Sequence, residues 1–178
     1  MKKIVQKTFQ KTVAFLPTEI ELMPLCRWNE SVFRYYFCRF LATGFPDVEQ
    51  YVECDKFDLV LRHPPLFAFI EFKFYTHPRR FDPYDGSPRG FKGGPGAKNL
   101  REFKACIDKL AKRSANPGLS KYIILIYADP QSGRRGRYSH HYDEYCHSKD
   151  NVSLRLVESC RPIETTDSII RAHLYGVV

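Results

Sequence analysis

The stretch Leu66-Phe67-Ala68-Phe69-Ile70-Glu71-Phe72-Lys73-Phe74-Tyr75 decides the fold of this chain. It is aromatic and aliphatic almost throughout, with Pro64–Pro65 before it and His77–Pro78 after it, and predicts one β-strand over Leu66–Tyr75. Side chains alternate across a strand, so Leu66, Ala68, Ile70, Phe72 and Phe74 share one face. The other face runs Phe67, Phe69, Glu71, Lys73. A strand apolar on both faces belongs in the middle of a sheet. Here it also carries an acid and a base on one face. A buried carboxylate or ammonium costs several kcal/mol unless it is partnered. The simplest reason to accept that cost is that the two groups do chemistry; the alternative is a structural Glu–Lys pair.

Working outward, the 178 residues suffice for one domain with a real core. With 43% hydrophobic and 15% aromatic residues the chain is globular, not disordered. No apolar run reaches the roughly 18–20 residues that span a bilayer. The basic start, Met-Lys-Lys-Ile-Val-Gln-Lys, leads into no apolar segment or cleavage site, so no signal peptide is expected. The six cysteines (Cys26, Cys38, Cys54, Cys106, Cys146, Cys160) are widely spaced, which suits reduced thiols in a cytoplasmic protein. A net charge of +8 points to a polyanionic partner, most simply nucleic acid; ordinary solubility is the alternative.

On the N-terminal side, Ile4–Phe15 reads as an irregular lead-in or a strand and turn, with Pro17 and Pro24 breaking any longer helix. Asn29 is a candidate N-cap for a helix with Phe33, Phe37, Phe40 and Leu41 inward, ended by Gly44 and Pro46. Glu30 lies on its inward stripe at the first turn, where an acid also complements the helix dipole. Val48–Cys54 and Lys56–Leu61 read as two strands or one bent one. Phe57, Leu59 and Leu61 are expected on one face, Asp58 and Val60 on the other. The short His63-Pro64-Pro65 connection makes the next strand an antiparallel neighbour, which can bring Asp58 near Glu71, although the register stays open.

An acid in Phe57-Asp58-Leu59-Val60-Leu61, then Glu-x-Lys in Phe69-Ile70-Glu71-Phe72-Lys73-Phe74, resembles the PD-(D/E)xK nuclease superfamily, the restriction-endonuclease-like fold. Glu30 in Trp28-Asn29-Glu30-Ser31 fits the further acid that such proteins often carry on the preceding helix. The family's proline before the first acid is replaced by Phe57. The resemblance covers about residues 28–129. It implies an α/β fold, an αβββαβ core whose mixed central sheet is flanked by helices, with 130–178 as elaboration of a single 1–178 domain. It also implies Mg²⁺ (or Mn²⁺) held by Asp58, Glu71 and the Phe72 carbonyl, with Asp58, Glu71, Lys73 and Glu30 as the catalytic set. Phosphodiester hydrolysis needs an activated water and stabilised phosphoryl charge, and hard oxygen ligands hold the ion that supplies both. Lys73, roughly 7 Å along the strand from Glu71, either stabilises the phosphate or, with its pKa lowered by desolvation, helps deprotonate the water.

Downstream, Thr76–Ala97 reads as a loop. Its Arg79, Arg80, Arg89 and Lys92 are interleaved with Phe81, Tyr84 and Phe91, which suits phosphate contact plus base stacking as well as a plain solvated loop. Lys98–Arg113 is a helix with Leu100, Phe103, Ile107 and Leu110 inward; Lys98 and Arg101 join the candidate nucleic-acid contacts, and Lys98, Asn99, Arg101 and Glu102 are candidates to face the cleft. Lys121–Asp129 is a buried strand, which a crossover helix sets parallel to the Glu71 strand. Arg134, Arg135 and Arg137 lie in a second basic loop. His140, His141, Cys146 and His147 match no established zinc spacing and read as a polar loop or turn. Val152–Glu158 and Ile169–Tyr175 are strands, the latter a last or edge element. The expectation is a Mg²⁺-dependent nuclease, DNA ahead of RNA as substrate, with two-strand cleavage requiring a homodimer. The alternative is a catalytically inactive nucleic-acid-binding or protein-interaction module on the same fold.

Overall fold

The sheet is built around β3 (Leu66–Tyr75), whose ends coincide with the stretch read from the sequence. The computed structural model describes residues 1–23, 27–75, 79–81, 84–91, 97–113, 116–130, 142, 145–146, 153–165 and 168–178. β1 (Glu49–Cys54), β2 (Phe57–His63), β3, β6 (Leu119–Pro130), β9 (Ser168–Val177) and β7 (Leu154–Ser159) lie side by side in that order, and β8 (Ile163–Glu164) adds to β9. β3 and β6 are parallel, with Ile70 beside Tyr122; the other pairs are antiparallel. The protein is therefore α/β with a mixed seven-stranded sheet flanked by helices. β9 is the last strand of the chain, as expected, and runs inside the sheet between β6 and β7, not at its edge.

The alternation along β3 sorts the core into two layers. Ala68, Ile70 and Phe72 join Leu59, Leu61, Ile124 and Ile126 beneath α1 (Lys2–Leu22) and α2 (Glu30–Gly44). Phe69 and Tyr75 face the opposite cluster with Ile123, Leu125 and Tyr127, covered by Phe103, Ile107 and Leu110 of α3 (Ala97–Ala111). Asn29 caps α2 as its side chain predicts, its Oδ1 accepting from the Val32 amide at 3.0 Å.

The first twenty residues overturn the expectation of a lead-in or strand. Val5, Phe9, Val13 and Leu16 recur at helical spacing and are all buried. Pro17 sits inside α1 and lacks the amide that would reach the Val13 carbonyl, a loss of about 3 kcal/mol in a helix interior. Burying four large side chains at ~1.5–3 kcal/mol each outweighs it. The buried Thr8 and Thr12 hydroxyls donate to the carbonyls of Ile4 and Thr8. Pro24 lies outside the described residues.

The region expected as a loop between β3 and α3 contains a second, two-stranded antiparallel sheet of β4 (Arg79–Phe81) and β5 (Pro88–Phe91). Glycine and proline do not prevent this pairing: Gly86, at φ +69°, lies in its turn, and Pro88 stands at the first position of β5, opposite Phe81. The described cysteines Cys38, Cys54, Cys106 and Cys160 are free thiols. Among the described residues no helix is long and apolar enough to cross a membrane.

β6 enters beside β3 through Gly118, at φ +89°, whose carbonyl accepts from the Phe67 amide at 2.9 Å. A Cβ there would lie 2.6 Å from the Pro65 carbonyl oxygen. Gly118→Ala is therefore expected to lower the unfolding free energy by at least about 1–3 kcal/mol, read from urea denaturation; unchanged stability would contradict this close approach.

Candidate active site

The ladder between β2 and β3 runs from His63↔Leu66 to Leu59↔Ile70 and stops there. Extending that register by one residue sets Asp58 opposite Glu71. At this point the Phe72 amide donates to Asp58 Oδ2 at 2.7 Å. A side-chain carboxylate has taken the place of a strand carbonyl, so the two strands fork with Asp58 in the crotch. Past the fork the faces no longer follow the pleat expected from sequence. Phe57, expected beside Leu59 and Leu61, packs instead on the α3 side, its ring 4.4 Å from that of Phe69. Asp58 reaches toward α2, with Oδ1 3.6 Å from the Arg34 guanidinium. Arg34 is itself only 9% exposed and also holds Glu53 at 2.7 Å.

Glu71 is 2% exposed. The Lys109 ammonium on α3 lies 2.5 Å from its Oε1, so this buried oxygen is charge-paired. Burial pushes the Glu71 carboxyl above its ordinary range; the Lys109 cation opposes this and the Asp58 charge adds to it. Lys73 does not pair with Glu71 as a structural Glu–Lys pair would. Its ammonium donates to the Phe72 carbonyl at 2.7 Å and to Glu30 Oε2 at 3.3 Å. Glu30, at the first turn of α2, thus meets the strand as well as the helix dipole. Burial raises the Glu30 carboxyl, partly offset by Lys73.

For Lys73, burial acts to lower the pKa, but Glu30, Cys106, Asp58 and Glu71 together outweigh it and hold the ammonium above its ordinary value. Of the two roles the sequence leaves open for Lys73, this direction is that of the charge-stabilising cation and not of a desolvated base. Cys106 of α3 borders the same group, its thiol pushed up to about 11 by burial, against the pull of Lys73.

The four acid and amine residues expected from the sequence, Glu30, Asp58, Glu71 and Lys73, thus converge with the Phe72 backbone at one fork. The sequence reading did not include Arg34, Lys109 or Cys106. Arg34 follows Glu30 by one helical turn, and Cys106 and Lys109 flank the inward stripe of α3; both spacings were visible, but only the structure shows their partners. Of the α3 residues expected at the cleft, Asn99 offers its backbone carbonyl to the Tyr75 hydroxyl at 3.3 Å. Lys98 and Arg101 are exposed, with Lys98 3.9 Å from Glu102. Arg79 and Arg80 lie on β4 and Arg89 on β5. Lys92, Arg134, Arg135 and Arg137 fall outside the described residues, as do His140, His141 and His147.

Among the described residues no three His, Cys, Asp or Glu side chains stand together as a ready metal cage. The donor set at the fork is nonetheless of the hard-oxygen type that suits Mg²⁺ or Mn²⁺: two carboxylates and a carbonyl, with Glu71 Oε1 buried against Lys109. Scans of protein-family models, of curated proteins and of solved structures find no match to this chain.

Because folding raises the Glu71 carboxyl above its ordinary value of 4.5, the folded protein holds this proton more tightly than the unfolded chain. Stability from this group is full below the ordinary value and is lost as pH rises through the raised one. In divalent-free buffer, the unfolding free energy of the wild type minus that of Glu71→Gln should fall as pH rises from about 4.5 and then level off. A difference that grows with pH would contradict a Glu71 carboxyl raised by burial.

Proposed function

We propose that this protein is a metal-dependent nuclease with a restriction-endonuclease-like αβββαβ core of the PD-(D/E)xK kind, hydrolysing phosphodiester bonds of nucleic acid, DNA ahead of RNA. The observation that carries the reading is the fork itself: the Phe72 amide on Asp58, with Glu71, Lys73 and Glu30 gathered around it. The order α2, β1, β2, β3, α3, β6, with β4 and β5 set apart as a separate sheet before α3 and β6 parallel to β3, supports the core assignment.

Asp58, Glu71 and the Phe72 carbonyl would hold the Mg²⁺ or Mn²⁺. Such an ion supplies an activated water and neutralises charge developing on the phosphoryl oxygens. The chain's own residues set up the rest. The Phe72 amide and Arg34 fix the Asp58 carboxylate from two sides. Glu30 holds the Lys73 ammonium and keeps it charged, so Lys73 acts by stabilising negative phosphoryl oxygen and not as a base. Lys98 and Arg101, exposed on the first turns of α3, and the arginines of β4 and β5 supply candidate backbone contacts. Cleavage of both strands of a duplex would take a homodimer, one site per strand.

A second reading, a nucleic-acid-binding or protein-interaction module without catalysis, draws on a specific observation. Each of the three inner acids already faces a protein cation: Glu30 with Lys73, Asp58 with Arg34 and Glu71 with Lys109. Such a site is electrostatically complete as it stands.

A cleavage panel of supercoiled plasmid, linear duplex, single-stranded DNA and RNA, with Mg²⁺, Mn²⁺ or EDTA, separates the two. Cutting should require the dication and fall roughly 10²–10³-fold or more in Asp58→Ala, Glu71→Ala and Lys73→Ala. Binding should persist in Lys73→Ala and weaken steeply with salt. Undiminished cutting in both carboxylate variants would reject the site; salt-sensitive binding with no cutting under any condition would favour the inactive module.

A further inference from the structure

We propose that Lys109 is the resident counter-ion that a divalent cation must displace from Glu71, so that this lysine sets the cation concentration at which the site loads. The inference rests on the metal-site reading above. Glu30, Asp58 and Glu71 face Lys73, Arg34 and Lys109, so the inner site is balanced in charge before any ion arrives. A dication entering without displacement would meet three fixed positive charges in a poorly solvated place, where each repulsion is worth several times its value in water.

The three cations differ in their freedom to leave. The Arg34 side chain is 10% exposed and held between Glu53 and Asp58. The Lys73 side chain is 13% exposed and bonded to Glu30 and the Phe72 carbonyl. The Lys109 side chain is 35% exposed. Lys109 also has partners that do not depend on Glu71: its ammonium donates to the Lys56 carbonyl at 2.7 Å and lies 4.9 Å from the centre of the Phe57 ring. Withdrawal from Glu71 therefore leaves the ammonium a carbonyl, an aromatic face and solvent. It frees Oε1, the buried Glu71 oxygen that Lys109 covers. Lys109 is thus a positioning residue that acts through Glu71.

Mn²⁺ binding to the full-length protein, followed by electron paramagnetic resonance of the free ion, tests this without reference to activity. Lys109→Met should bind Mn²⁺ about tenfold more tightly than the wild type, while Lys109→Arg, which restores the charge, should return toward the wild-type affinity. Lys109→Gln serves as a second neutral variant should Lys109→Met not fold, with circular dichroism reporting the fold. Mn²⁺ should also raise the melting temperature more in the neutral variants, whose Glu71 lacks a cation, than in the wild type. Equal or weaker Mn²⁺ affinity in the neutral variants would overturn the role of Lys109 and leave the site standing. Absence of saturable Mn²⁺ binding in every form would overturn the metal site and this inference together.

Discussion

One hydrogen bond organises this molecule: the Phe72 amide donating to the Asp58 carboxylate where β2 and β3 part. Every strand amide in a buried sheet must find an acceptor. Along β3 the acceptors are backbone groups until Leu59↔Ile70; the next is a side chain. That substitution lets β2 leave β3 without orphaning a buried donor, and it anchors a carboxylate at the gap so formed. It also leaves the Phe72 carbonyl to the Lys73 ammonium. A local exchange in the ladder thereby becomes a concave place lined with oxygen.

Charge then decides what can occupy it. Glu71 is almost wholly buried, and it is tolerable there only because α3 brings Lys109 against it. Glu30 and Lys73 join α2 to β3, and Arg34 joins α2 to β2, in the same manner. Each pair joins a strand of the sheet to a helix that hydrophobic packing has already set on one of its faces, α2 on one side and α3 on the other. The two helical layers and the fork are in this sense one arrangement: moving either helix would strand an acid. The excess of positive charge, +8 over the chain, lies in the background of this balanced centre and suits a polyanion approaching from outside.

Much of this was legible in the sequence, because it follows from short-range pattern. The bounds of β3, the Asn29 cap, α3 and the parallel placement of β6 come from periodicity, proline punctuation and a single capping oxygen. That Asp58 could come near Glu71 was legible as soon as the hairpin was; the register that sets them opposite was not. What could not be read is what depends on tertiary partners. α1 is a helix because four buried side chains outweigh Pro17, a contest whose outcome lies in packing. Lys109 looked like one more surface lysine; only the seating of α3 turns it onto Glu71. Lys73 was open between base and cation, and the three carboxylates that raise its pKa could not be counted around it from the sequence. Phe57 changed sides because the ladder ended before it, which no alternation rule contains.

The most direct test is an anomalous difference map from a crystal soaked in Mn²⁺. A site built for a dication places one strong peak at the fork, within coordination distance of Asp58, Glu71 and the Phe72 carbonyl oxygen. A map with no peak there, with Asp58 still held on Arg34 and Glu71 still on Lys109, would contradict it.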